Sequence, residues 1–295
     1  MKPPPFAYAR ATGVPEALAL LRDAGEDAKI LAGGQSLVPL MAYRLARPSH
    51  LVDIGRITTH RYVRGDGGGL RVGALVRHLE LERATGLTGP WQALREAAGR
   101  IGHHPVRIRG TCGGSLAHAD PSAELPVVAA ALDASVTLQS ADGTRTVPAT
   151  EFFLAPFITA LEPDEMLVEV AFPAPPPGLR SVFEEFQVHS GDFALASAAV
   201  AVALDGDGVA THVRVALGSV GPVPVRAREA EEALTGGRLT DRAAAEAARL
   251  AASAAGAAAG SSAASGEAPG GGADFRRELV RTLVARALDR LKEKS

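Results

Sequence analysis

The spacing of apolar residues divides the chain into a mixed first part and a strand-then-helix second part. Pro15–Ala24 sets Leu18 and Leu21, with Leu20 beside them, on one side of a short helix that Gly25 ends. Lys29–Leu31 predicts a short strand. It runs into Ala32-Gly33-Gly34-Gln35-Ser36 and then an apolar stretch to Leu45 that predicts a helix. Leu51–Ile54 and Leu70–Leu75 predict buried strands, with a Gly/Asp turn over 65–69 between them. Helices are expected over Arg77–Ala84 and Trp91–Ile101. Residues 109–120, Arg-Gly-Thr-Cys-Gly-Gly-Ser-Leu-Ala-His-Ala-Asp, read as a loop leading to the apolar segment Glu124–Leu132. Ser135–Gln139 and Thr144–Val147 flank Asp142-Gly143, a hairpin signal, and Met166–Phe172 predicts a further strand.

Pro173, Pro175, Pro176, Pro177 and Gly178 then mark an extended junction that cannot join a helix or a central strand. Beyond it Val182–Val188, Ala194–Leu204 and Val209–Val220 are β-rich, with a turn over 205–208. From Val225 the pattern is helical. Residues 251–273 are low-complexity Ala, Gly and Ser, expected to be a frayed helix end plus a mobile loop. Asp274–Lys294 returns to helix, with Leu279, Leu283, Ala287 and Leu288 on one side. The expected division is 1–175 and 179–295.

Composition narrows the function classes. With 295 residues, both parts can bury a core. Aromatics are only 4%, so those cores must be built from Ala, Val, Leu and Ile. The 31 basic and 33 acidic residues give a formal charge of -2, which offers no general attraction to nucleic acid or an anionic membrane. The single cysteine, Cys112, forms no internal disulfide and cannot alone hold an iron–sulfur cluster. The opening MKPPPFAYAR lacks a signal-peptide pattern and no apolar run is long enough for a bilayer, so cytoplasmic residence is the expectation.

Two segments carry candidate chemistry. Ala32–Ser36 and Thr111–Ser115 each set paired glycines and a small hydroxyl residue beside the start of an apolar segment. Glycine admits close backbone approach and positive φ, and successive N–H groups can form a nest for an anion. Two such loops can hold a diphosphate from both sides. Taken singly, a Gly-Gly pair in a loop is more often only an ordinary turn, and neither segment is a GxGxxG fingerprint or a Walker A loop. His103-His104 and His118-x-Asp120 lack further ligands at metal-site spacing, so no metal is assigned. Cys112 reads as a packing residue rather than a nucleophile, and no catalytic residue is assigned.

Residues 31–40 (Leu-Ala-Gly-Gly-Gln-Ser-Leu-Val-Pro-Leu) and 109–126, with the Ala-His-Ala-Asp-Pro tail, are similar to the FAD-binding medium subunit of the xanthine dehydrogenase and carbon monoxide dehydrogenase family, the molybdenum hydroxylases. Ile101-Gly102-His103, residues 151–153, Gly191-Asp192-Phe193-Ala194 and residues 220–226 extend the resemblance over nearly the whole chain. It implies an α+β protein: a two-subdomain FAD-binding domain of the vanillyl-alcohol-oxidase (PCMH) type, followed by a smaller α+β C-terminal domain. It implies that Ala32, Gly33, Gly34, Gln35 and Ser36, with Leu37 following, and Thr111, Cys112, Gly113, Gly114 and Ser115 cradle the FAD diphosphate. Ile101 would line the cofactor, Glu124 would accept a ribose hydroxyl, Leu167 would pack nearby, and Asp192 and Phe193 would approach the isoalloxazine. Relatives commonly carry lysine near Glu185, so no cofactor contact is expected from that carboxylate. The final linker also departs from the family pattern, ending Asp274-Phe275-Arg276-Arg277.

The implied function is electron transfer. The flavin takes electrons from a small iron–sulfur subunit carrying [2Fe-2S] clusters and passes them to an external acceptor. Hydroxylation belongs to a large molybdopterin subunit, and the assembly is expected to be a dimer of heterotrimers. Two alternatives stay open: a self-contained FAD-dependent oxidase or reductase of the same superfamily, and a scaffold that has lost FAD.

Overall fold

The computed structural model describes residues 2–260 and 272–292. Its first sheet is parallel and three-stranded: β1 (Ala7–Arg10), then α1 (Val14–Ala24), β2 (Ala28–Leu31), α2 (Leu37–Ala42) and β3 (His50–Asp53), in the order β1-β3-β2. Helix α1 buries Val14, Ala17, Leu18 and Leu21 and stops at Gly25, whose φ is +75°. Strand β1 escaped the pattern reading because it is a largely exposed edge strand with no apolar alternation. Helix α2 ends at Ala42, short of the expected Leu45, because the chain turns left-handed at Arg44, φ +59°.

The second sheet is antiparallel. Its chain order is β4 (Val63–Asp66), β5 (Gly69–Gly73), α3 (His78–Arg83), α4 (Gln92–Arg100), α5 (His104–Arg109), α6 (Cys112–His118), α7 (Glu124–Ala131), β6 (Ser135–Gln139), β7 (Thr144–Pro148), α8 (Ala149–Phe152), β8 (Phe153–Ala155), β9 (Ile158–Thr159) and β10 (Met166–Phe172). The sheet order is β4-β5-β10-β6-β7, while β8 and β9 form a separate small hairpin. The predicted 65–69 turn shrinks to Gly67-Gly68, both at positive φ as a two-residue hairpin turn requires. The stretch expected to be a loop over 109–120 instead carries the end of α5 and all of α6. Thr111 caps α6, its hydroxyl accepting from the Gly114 N–H at 3.1 Å, and that cap offsets the poor helix propensity of two glycines.

Past the prolines come β11 (Leu179–Phe186), β12 (Ala196–Leu204), β13 (Ala210–Gly218), β14 (Val225–Arg226), α9 (Arg228–Leu234), α10 (Asp241–Gly260) and α11 (Ala273–Lys292). The four strands form an antiparallel sheet in chain order. Strand β12 is buried on both faces. Ala196, Ala198, Val200 and Val202 face the core of α10 and α11, and Ala199, Ala201 and Ala203 join the core of the second sheet. Small alanines on that second face let α4 and α7 lie close against the strands, so the aromatic-poor composition is used where two layers meet. Polar ties cross the same seam: the Phe183 N–H donates to Glu96 at 2.9 Å, and Arg290 bonds both Glu96 and Glu184.

The Ala/Gly/Ser expectation over 251–273 falls partly on α10, while 261–271 lie outside the described residues. No helix among the described residues is long and apolar enough to cross a membrane.

Candidate cofactor site

Strand β2 delivers the chain directly into the first glycine loop. Among the described residues, the N–H groups of Gly33, Gly34, Gln35 and Ser36 meet no protein acceptor, while three of the carbonyls are engaged: Gly33 O accepts from Gln35 Nε2 at 3.0 Å, Gly34 O from the Val38 N–H at 3.1 Å and Ser36 O from the Leu40 N–H at 3.1 Å. A run of N–H groups with no partner is an anion nest in its simplest form. Only Gly34 uses positive φ, +72°. Gly33 is required for a different reason. A Cβ there would lie 2.4 Å from the Arg109 carbonyl oxygen and 2.8 Å from Gly110 Cα, so the two glycine loops touch through it.

The second loop is built otherwise. The Cys112 N–H donates to Val76 O at 2.9 Å, the Gly113 N–H to Ala74 O at 2.8 Å, and the Gly114 N–H to the Thr111 hydroxyl. Its glycines have ordinary φ, and a Cβ on Gly113 would lie 2.5 Å from Ala74 Cβ. This segment is therefore a seat wedged against β5 rather than a second row of free donors. What it can offer an anion is the hydroxyls of Thr111 and Ser115 and the Thr111 N–H, which meets no acceptor among the described residues.

Both segments line one cavity of about 1300 Å³, above the ~300–1,000 Å³ of common small-molecule pockets and roomy enough for a dinucleotide. Of the residues expected at the cofactor, Ala32, Gly33, Gly34, Gln35, Ser36, Leu37, Ile101, Thr111, Gly113, Gly114, Ser115, Glu124, Leu167, Asp192 and Phe193 all stand on its wall. Cys112 does not. Its side chain turns wholly into the core under α6, and burial pushes its thiol up to about 12.

The far wall comes from the second half of the chain. His103 of the segment before α5 packs on Gly191, where an added Cβ would lie 2.4 Å from the imidazole. Residues 188–195 thus close over Ile101, with Phe193 exposed at the rim. The Asp192 carboxylate is turned to its own loop, accepting from the His189 N–H at 3.2 Å and lying 3.0 Å from His189 Nδ1. Arg276, in the segment that departs from the family pattern, also stands on the wall and donates to Ser219 O at 2.7 Å.

Glu124 opens α7 and is nearly buried. Desolvation, then repulsion from Glu185 and Asp120, raises its carboxyl to about 8. Glu185, on β11, is raised to about 7 by burial, with Arg100 opposing, and neither of its carboxylate oxygens has a partner among the described residues. Glu185 is not on the cavity wall; it stands behind Glu124.

Residues 4–175 match the FAD binding domain in molybdopterin dehydrogenase, and residues 181–291 match the CO dehydrogenase flavoprotein C-terminal domain. The chain belongs to the FAD-binding medium-subunit family of the molybdenum hydroxylases. Within that family it is 42% identical over 288 residues to the 6-hydroxypseudooxynicotine dehydrogenase complex subunit alpha of Paenarthrobacter nicotinovorans, covering 98% of this chain and 95% of the relative. It is 39% identical to the carbon monoxide dehydrogenase medium chain of Hydrogenophaga pseudoflava, over 84% of this chain and 86% of that one. Its fold superposes on a chain of reconstituted CO dehydrogenase from Oligotropha carboxidovorans with a TM-score of 0.92 at 32% identity, over 100% of both chains.

The cavity of this medium-subunit fold fits FAD on its own evidence. It has a nest of N–H groups unpartnered among the described residues for the diphosphate, a carboxyl at a helix start for a hydroxyl, and apolar wall residues such as Ile101 and Leu167 for a ring system. Three wall residues that pattern reading did not single out for the cofactor are His78, Arg276 and Met166. None carries a sequence signal, since each lies inside an ordinary helix or strand pattern.

Proposed function

We propose that this chain is the FAD-binding electron-transfer subunit of a molybdenum hydroxylase complex, taking electrons from a small iron–sulfur subunit and passing them to an external acceptor. The observation that carries the reading is the single long cavity in which the free N–H groups of 33–36 and the hydroxyl-bearing seat at 111–115 meet. FAD, when bound, supplies the redox chemistry and the interchange between one- and two-electron steps.

The chain's own part is to hold and orient. Gly33, Gly34, Gln35 and Ser36 donate to the diphosphate, and Thr111 and Ser115 close on it from the other side. Glu124 accepts from a ribose hydroxyl, Ile101 and Leu167 exclude water, and Asp192 and Phe193 shape the end toward the isoalloxazine. We assign 1–175 to the FAD-binding PCMH-type domain and 179–295 to the C-terminal domain. Names such as "complex subunit alpha" and "medium chain" among the relatives support a multi-subunit setting. The chain's one cysteine is fully buried, so any [2Fe-2S] cluster belongs on a partner, as does the molybdenum cofactor on a large molybdopterin subunit. A dimer of heterotrimers in the cytoplasm completes the reading.

The self-contained oxidase or reductase would need an acid or base free to act at the ring end. Asp192 is already committed to His189 there, which favours the subunit reading. The test is expression with and without neighbouring genes, followed by copurification and a hydroxylation assay over heteroaromatics, aldehydes and carbon monoxide. The chain alone should show only slow flavin reactions, such as oxidation of a reduced nicotinamide. Robust hydroxylation by the chain alone would overturn the assignment.

A further inference from the structure

His78 is the first residue of α3 and stands on the wall of the cofactor cavity. It is only 4% exposed, an unusual place for an imidazole with no partner among the described residues. Its Nδ1 is buried and unbonded among the described residues. The other edge of the ring faces Gly110: a Cβ on that glycine would lie 2.5 Å from Cδ2 and 2.7 Å from Nε2. Gly110 is also the residue against which Gly33 packs. The ring therefore borders the point where the two glycine loops meet.

The tautomer follows from the cost of orphaned groups. A buried N–H without an acceptor is disfavoured more than a buried lone pair without a donor. Nδ1, sealed and unpartnered, is then the bare nitrogen, and the proton sits on Nε2. Burial and the neighbouring Arg77 and Arg107 push the imidazole down to about 4, so it stays neutral near pH 7 with one donor.

The cavity gives that donor a purpose. Among its described wall residues the only Lys and Arg side chains are Lys29 and Arg276, while Glu26, Asp120, Glu124, Glu162, Glu165 and Asp192 are acidic. A diphosphate entering such a wall depends on neutral N–H and O–H donors rather than on cations. The second loop has already spent its N–H groups of residues 112–114 on the protein.

We propose that His78 is a further cofactor-binding residue, donating from Nε2 to the diphosphate held where the two glycine loops meet. The inference rests on the FAD reading, and its test separates the two. Apo wild type, His78→Leu and His78→Gln are titrated with FAD and with riboflavin, which has no phosphate, by flavin fluorescence. His78→Leu should weaken FAD by about tenfold or more, as for loss of one hydrogen bond to a charged acceptor. It should leave riboflavin binding unchanged. His78→Gln, which keeps a donor on a similar reach, should recover FAD binding to within about threefold. The apo melting temperature of His78→Leu should not fall, since the substitution removes an orphaned polar group.

Equal weakening of both ligands, or a lower melting temperature with unchanged FAD affinity, would make His78 a structural residue and overturn the proposal. If His78→Leu does not fold, ring-nitrogen NMR of ¹⁵N-histidine wild type decides. The signal absent from His78→Gln should keep its Nε2 proton and shift on adding FAD, and no shift overturns the proposal. Wild type that binds neither ligand takes down the cofactor reading, and this inference with it.

Discussion

The two glycine segments look alike in sequence and do opposite work in the fold. Among the described residues, 33–36 leave four consecutive N–H groups without a protein acceptor, whereas the N–H groups of Cys112, Gly113 and Gly114 are all bonded within the protein. The first is an open nest on the cavity wall. The second is a helix start jammed against β5, with its glycines chosen for packing: Gly113 for Ala74, Gly114 for the capping Thr111 hydroxyl. Paired glycines report close approach, and only the hydrogen-bond accounting tells whether the close neighbour is a ligand or the protein itself.

The comparison breaks most sharply at Gly33. Gly33→Val places a branched side chain against the Arg109 carbonyl oxygen and Gly110 Cα and separates the loops. FAD affinity should fall by about a hundredfold or more, since several donors of about 1 kcal/mol each are displaced together. Titration of FAD into the apo variant checks it, and unchanged affinity would show 33–36 to be an ordinary turn. Gly113→Ala should act in the reverse order. Its Cβ clashes with Ala74, so the apo protein should lose about 1–3 kcal/mol in urea unfolding, as overpacked cores do, before any effect on FAD is resolved. Thr111→Ala removes the α6 cap and should destabilise the apo protein by about 1 kcal/mol, with Thr111→Ser restoring most of it. A loss confined to FAD affinity would mean that the hydroxyl serves the ligand and not the helix.

A further effect is a pH dependence at the carboxyls of Glu124 and Glu185. The carboxyls of Glu124 and Glu185 are raised in the folded protein, to about 8 and about 7. The folded state therefore keeps protons that the unfolded chain has released above its ordinary carboxyl range, and stability must fall as pH rises from about 4.5 through 7 to 8. Glu185→Gln removes one of these groups. Its apo melting temperature should match wild type near pH 5 and exceed it above pH 7. A difference that shrinks as pH rises would contradict the buried, unpartnered placement of Glu185.

Much of this was legible in the residues. Met166–Phe172 and the hairpin about Asp142-Gly143 stand where alternation and turn chemistry put them, because both are local signals. The segment 109–120 reads as a loop in the sequence because its helix depends on a cap and on burial under the second sheet, neither of which shows as apolar periodicity. The same limit explains His78, a histidine in a helical pattern turned onto the cavity wall, whereas the packing role of Cys112 was legible and its side chain lies in the core. The family resemblance supplied the cofactor residues, but it could not say which of two similar loops keeps its N–H groups free.

That claim is tested most directly by the cofactor content of the purified chain. Acid precipitation of wild type should release about one FAD per chain, non-covalently held, and Gly33→Val prepared in parallel should release almost none while remaining folded by circular dichroism. A wild-type chain that is colourless and stays so after FAD titration, or a folded Gly33→Val that carries full FAD, would contradict the account.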